Sequence, residues 1–251
     1  MKQGIHIDSV NLSGKKGEVK VPVPEITLSE KGIEGDAHAG PWHRQVSLLA
    51  SESIRKYERD TGTQVPDGGF GENITTRGFA LHHARPLDCF VSGEVLMELT
   101  QVGKKCHGGK CAIYKQSGEC IMPDEGVFCR VLKGGTLKAG DRLEYVPYVF
   151  RFKVITLSDR AHAGFYPDRS GPGILEEMEQ WFGEMKLQYQ ADHAILPDER
   201  EGFSKELSSA VDDKLDLVFT TGGTGLGSRD MAPDVAIQHM DRQIPGIMEL
   251  V

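Results

Sequence analysis

The spacing of apolar residues changes once along the chain, near residue 147. Upstream of that point the rhythm has period two, as in strands that bury one face. Valines alternate with polar residues and prolines over residues 17–28, and Val95, Met97 and Leu99 alternate with Glu94, Glu98 and Thr100 within residues 90–102. Glycine-bearing turns break these runs, and a helix is expected over residues 51–57, where Ile54 and Tyr57 lie one turn apart. Gly134 to Asp141 reads as the turn before a last strand, Arg142 to Val146. Many short strands joined by such turns predict an antiparallel β-barrel or sandwich over residues 1–147.

Beyond Pro147-Tyr148 the pattern alternates between two periods. Phe152-Lys153-Val154-Ile155-Thr156-Leu157 is a candidate for a buried strand. Leu175, Met178, Phe182 and Met185 then follow helical spacing behind Pro172, a residue tolerated in a first helical turn. Leu187, Tyr189, Ala191, His193 and Ile195 return to period two, Phe203, Leu207, Ala210 and Val211 to helical spacing, and Leu215 to Thr221 forms another strand. The order β-α-β-α-β predicts a three-layer α/β domain with a mostly parallel sheet over residues 151–251. Its ligand site belongs beyond the carboxyl ends of the strands. The distinctive loops fall there: Ser158-Asp159-Arg160, Pro197-Asp198-Glu199, and Thr221-Gly222-Gly223-Thr224-Gly225 running on to Asp230.

Glycines let a backbone approach a ligand closely, and successive N–H groups bind anions. The loop after Thr221 has neither the spacing of an ATPase phosphate loop nor that of a dinucleotide fingerprint, so it fits a phosphate cradle and a plain turn alike. Asp198 and Asp230 are equally suited to capping the helices that follow them, and His193, within a strand, reads as structural.

The net charge of -8 and pI near 5.6 argue against a nucleic-acid binder, which needs clustered positive charge. No apolar run approaches membrane-spanning length, and Met1 to Ile5 opens no signal peptide. The expectation is a cytoplasmic protein that binds a small anionic molecule and neither membrane nor nucleic acid. Five cysteines, Cys89, Cys106, Cys111, Cys120 and Cys129, are an odd set for a disulfide framework, and the last four lack the short hooks of structural zinc sites. Lys104, Lys105 and His107 favour the thiolate of Cys106, the form that binds soft metals or carries sulfane sulfur. A buried core cysteine is the alternative, preferred for Cys89 and Cys129; Cys120 is a candidate resolving thiol. His38 and His43 flank Gly40-Pro41-Trp42 and, with Asp36, either line a pocket or decorate a loop. Arg44, Arg77 and Lys110 are candidate phosphate partners.

Longer motifs carry two resemblances. Gly32 to Gly40, Arg44 to Leu49, Gly68-Gly69-Phe70-Gly71-Glu72-Asn73-Ile74-Thr75-Thr76 and Val102 to His107 resemble the MOSC domain, the C-terminal module of molybdenum cofactor sulfurase. That resemblance implies a β-barrel that binds molybdenum cofactor or carries sulfur, with Cys106 as Mo ligand or persulfide carrier and Arg44 and Asn73 among the cofactor contacts. Ser158 to Ala161, Gly164 to Pro172 and Thr220 to Asp234 resemble the molybdopterin adenylyltransferases of the Mog/MoaB type. That family transfers AMP from Mg-ATP to molybdopterin. The resemblance implies catalytic Asp198 and Asp230 holding Mg²⁺, and cofactor contacts at Ser158, Asp159, Arg160, Thr221, Gly222, Gly223, Thr224 and Gly225. It further implies a homo-oligomer, a trimer in that family, serving a molybdenum insertase or molybdoenzyme. Two departures stand out. Ala232 replaces the usual threonine, and the sequence stops at Val251 where family members continue, so the expectation is a domain incomplete at its C-terminus. The rival readings are a cofactor or sulfur carrier whose second half is a scaffold, and a Mo-dependent reductase of N-hydroxylated compounds.

Overall fold

The structure, a computed structural model, describes residues 4–105, 120–225, 227 and 230–244. The chain divides into two compact units, Met1–Tyr148 and Val149–Val251.

The first unit is a closed barrel. Its strands are β1 (Gly4–Leu12), β5 (Val46–Ala50), β6 (Ile74–Arg77), β7 (Cys89–Ser92), β8 (Val95–Val102), β9 (Val127–Lys133) and β11 (Arg142–Val146). They are ordered β11-β7-β8-β9-β5-β6-β1, and β1 returns to β11 through Gly4 opposite Glu144. Strand β2 (Val21–Val23) extends β1, and β3 (Glu25–Ser29), β4 (Gly32–Ile33) and β10 (Gly135–Lys138) form a small second sheet. Alternate side chains fill the barrel, with Ile5, Ile7, Leu48, Phe90, Met97, Leu99 and Leu143 fully buried.

Two expectations need correction. The alternating run read over residues 90–102 is a hairpin: β7 and β8 pair antiparallel, with Ser92 opposite Val95 and Gly93 turning at φ 56°. Nor is the barrel wholly antiparallel, because β5 and β6 run parallel, Leu48 opposite Ile74. A parallel pair needs a crossover of a dozen or more residues. Helix α1 (Ser51–Thr61) and the loop to Ile74 supply it, α1 burying Ile54 and Tyr57 as its spacing predicts.

In the second unit β12 (Val149–Leu157) pairs in parallel with β13 (Gln188–Leu196) on one side and β14 (Leu217–Thr221) on the other. Its helices are α2 (Asp159–His162), α3 (Ser170–Met185), α4 (Arg200–Asp212) and α5 (Ala232–Gln238). The central strand sends alternate residues to two apolar clusters. Phe152 and Val154 meet Phe182 of α3, whereas Ile155 and Leu157 meet Phe203 of α4 and Val235 of α5. Met185 and Val211, read as part of the inward stripes, lie at helix ends and are exposed. No helix among the described residues is long and apolar enough to cross a membrane.

Candidate functional sites

A cavity of about 790 Å³ opens beyond the carboxyl ends of β12, β13 and β14. It brings together Ser158, Asp159, Arg160, Asp198, Thr221, Gly222, Gly223 and Asp230, residues far apart in sequence. Thr224 and Gly225 are exposed and stand outside the lining.

The two aspartates are not helix caps. The residues flanking α4 and α5 on their N-terminal sides are Glu199 and Met231, and neither makes a side-chain cap. Asp198 instead trades hydrogen bonds with the neighbouring loop: its Oδ2 accepts from the Asp159 backbone N–H at 3.1 Å, and its own N–H donates to Asp159 Oδ1 at 3.0 Å. Its Oδ1 is buried, with no hydrogen-bond partner among the described residues. Asp230 closes the glycine loop, accepting from the Gly227 N–H at 2.8 Å. Gly222 has φ 89°, and a β-carbon there would stand 2.1 Å from the carbonyl oxygen of Leu157. Only glycine lets β14 turn so close to the end of β12.

Ser158 caps the short α2 by accepting from Ala161 N–H, and its Oγ lies 3.1 Å from the Tyr166 hydroxyl. The Arg160 guanidinium sits 5.2 Å over the Tyr166 ring. Tyr166, Asp168 and Arg169 also line the cavity; sequence reasoning did not single them out individually, although they belong to the Gly164 to Pro172 motif. Burial opposes ionisation of Asp168, but hydrogen bonds from Thr156 Oγ1 and the N–H groups of Gly171 and Ser170, with His193 beside it, hold its carboxyl below the ordinary value. His193 thus has a structural contact, 3.1 Å from Asp168.

A second cavity, of about 340 Å³, lies in the barrel unit and is lined by Lys16, Glu18, His38, Trp42, Arg44, Ser47, Phe70, Asn73, Lys104 and Phe128, among others. Arg44 lies between aromatic faces, 5.1 Å from the Trp42 ring and 5.8 Å from that of Phe128, and its buried Nε has no hydrogen-bond partner among the described residues. Asn73 also spends its amide within the fold: Oδ1 accepts from the N–H and hydroxyl of Ser47, and Nδ2 donates to Asn11 O and Asp36 Oδ2. Arg77 pairs with Asp8 and is not among the lining residues, and His43 faces Gln101. Cys106, His107, Lys110 and Cys111 fall outside the described residues. Burial pushes the Cys129 and Cys89 thiols up, as expected of packed cysteines, and Cys120 packs beside Phe70 and Met122.

Comparison with known proteins bears on both cavities. The model of the MOSC domain matches residues 35–144, and that of the probable molybdopterin binding domain matches residues 153–251. The chain is a MOSC domain followed by a molybdopterin binding domain. The second domain is similar to the molybdopterin adenylyltransferase of Escherichia coli strain K12, 34% identical over 101 residues, which are 39% of this chain and 50% of that protein. The enzyme of the same name from Helicobacter pylori is 36% identical over 100 residues, 39% of this chain and 54% of that protein. The chain therefore spans about half the length of the curated relatives it matches. The crystal structure of the YuaD protein from Bacillus subtilis covers 59% of this chain and 98% of its own, with TM-score 0.50 and 15% identity, a likeness of fold alone.

Proposed function

We propose that the chain works in molybdenum cofactor biosynthesis as a molybdopterin adenylyltransferase. The molybdopterin binding domain, in its family's three-layer arrangement, transfers AMP from Mg-ATP to molybdopterin, and the MOSC domain holds the product or the mature cofactor. The observation that carries this reading is the Asp198 carboxylate, whose buried Oδ1 has no hydrogen-bond partner among the described residues, at a cavity that Asp198 and Asp230 both line. A buried carboxylate oxygen without a hydrogen donor is matched by a hard cation, and Mg²⁺ takes carboxylate and phosphate oxygens together. Arg160 and Arg169 face the same space and suit the phosphates, while Tyr166 offers a flat face to a ring. In the MOSC domain Cys106, two residues beyond Lys104 of the barrel cavity, is the Mo ligand or persulfide carrier. The working protein is a cytoplasmic homo-oligomer that passes its product to a molybdenum insertase or a molybdoenzyme.

The test is to incubate the purified chain with molybdopterin and Mg-ATP and to measure adenylylated molybdopterin by mass spectrometry. Product should form and should fall about 100-fold or more in Asp198→Asn, the range seen when a charge-stabilising group is removed from a site. A chain that binds molybdopterin at saturation yet forms no product is a carrier, and the enzyme reading fails.

A further inference from the structure

The barrel cavity contains a histidine backed by a buried carboxylate. The Asp36 side chain is wholly buried and accepts hydrogen bonds on both oxygens. Its Oδ1 takes the His38 backbone N–H at 2.9 Å and lies 3.2 Å from the His38 ring Nδ1. Its Oδ2 takes Asn73 Nδ2 at 2.9 Å, the Ser13 N–H and the buried Lys20 ammonium. Burial alone would favour the neutral acid, but the hydrogen bonds from His38 and Lys20 outweigh it and hold Asp36 well below the usual carboxylate range. Burial works the other way on Lys20 and lowers it despite Asp36.

An ionised carboxylate accepts hydrogen bonds and donates none, so Nδ1 carries the ring hydrogen towards Asp36. Lys20 Nζ also stands 3.5 Å from Nδ1, at the limit of a hydrogen bond, and is committed to Asp36. The basic nitrogen is therefore Nε2. The ring is further clamped by Trp42, which lies 6.3 Å away at an interplanar angle of 15° and donates its indole N–H to the His38 carbonyl at 2.7 Å. About a third of the His38 side chain is exposed, on the wall of the cavity. Behind the ring stand the buried Asp36 and Lys20, and among the described residues the charged side chains lining the cavity are Lys16, Glu18, Arg44 and Lys104. Their net sign is positive.

We propose that His38 is the acid–base residue of the MOSC cavity. When an anionic ligand enters, Nε2 takes a proton from solvent, and the imidazolium lies between the ligand and Asp36, which stays ionised and acts as a positioning residue. Nε2 then holds that proton against the ligand for return or transfer. The proposal rests on the reading that the barrel binds the phosphorylated pterin, and it adds a proton to that event: binding weakens as pH rises.

Calorimetric titration of the full chain with molybdopterin, at one pH in PIPES and in Tris, counts the protons taken up, because the two buffers release very different heats. Binding to the second domain is common to every variant and cancels in the comparison. The wild-type chain should take up about one proton more than His38→Gln, a variant that keeps a donor for Asp36. Equal proton counts in the two chains overturn the assignment. Should His38→Gln misfold, carbethoxylation of the wild-type chain decides: His38 should label at Nε2 and lose that labelling at least tenfold with molybdopterin bound, and undiminished labelling overturns the proposal. An isotherm that Arg44→Gln leaves unchanged shows that the barrel binds no pterin, which removes the underlying reading and this assignment with it.

Discussion

Glu72 provides a quantitative test of how the barrel tolerates buried charge. It is fully buried, and its carboxylate accepts from the N–H groups of Gly68 at 2.7 Å and Phe70 at 3.1 Å and from the Thr75 hydroxyl at 3.1 Å. None of these partners is charged. Burial outweighs them and pushes the carboxyl from 4.5 up to about 7. The sign follows from proton binding. Between pH 4.5 and 7 the folded barrel retains a proton that the unfolded chain has released, so stability falls as pH rises through that window. It is fully present below 4.5 and stops falling above 7. At about 1.4 kcal/mol per pH unit the loss is about 3 kcal/mol. Glu72→Gln does not titrate, so the difference between the two chains isolates this group from every other. In a Trp181→Phe background Trp42 is the sole tryptophan, and its fluorescence reports urea unfolding of the barrel. From pH 4.5 to about pH 8 the wild-type chain should lose about 3 kcal/mol relative to Glu72→Gln. A difference that stays constant within about 0.5 kcal/mol refutes the reasoning.

Two further substitutions address the second domain. Gly222→Ala would place a methyl group 2.1 Å from the Leu157 carbonyl at a positive φ; it should cost about 2 kcal/mol or more and deform the cavity, and an unchanged unfolding midpoint contradicts this. Phe182 is fully buried and meets the rings of Phe150, Phe152 and Tyr189, so Phe182→Ala should cost about 3–5 kcal/mol. Differential scanning calorimetry should show the second unit's transition lowered and the barrel's unchanged.

Where one periodicity governed a segment, the sequence was legible. Phe152 to Leu157 buries both faces as a central parallel strand must, and Leu175, Met178 and Phe182 turn inward together. The loops beyond the strand ends were legible for the same reason, because parallel order alone places Ser158, Asp198 and Thr221 at one edge. Local pattern could not show that β5 and β6 run parallel, since a strand reads the same whichever way its neighbour points. Nor could it separate a capping aspartate from a free one. Asp198 and Asp230 sit beside helix starts in sequence, and only the fold shows that Asp198 reaches Asp159 and Asp230 reaches Gly227. The use of Asn73 to tie Asp36 to Ser47 is a contact between distant segments, with no signature in either.

The exchange between Asp159 and Asp198 leaves the two oxygens of one carboxylate with unlike tasks. Oδ2 is a fastener, and Oδ1 is buried with no hydrogen-bond partner among the described residues. In Asp198→Asn the amide must keep its carbonyl towards the Asp159 N–H, since an NH₂ there would set donor against donor. The NH₂ is then forced into the place of Oδ1. One substitution preserves the fastening of the loops and puts a donor where an acceptor stood, so on the proposed reading the place that suits a cation becomes one that rejects cations. If the proposed function holds, such a chain keeps the loops that would hold molybdopterin and ATP and loses the ion that would join them, an inhibited assembly rather than an empty one.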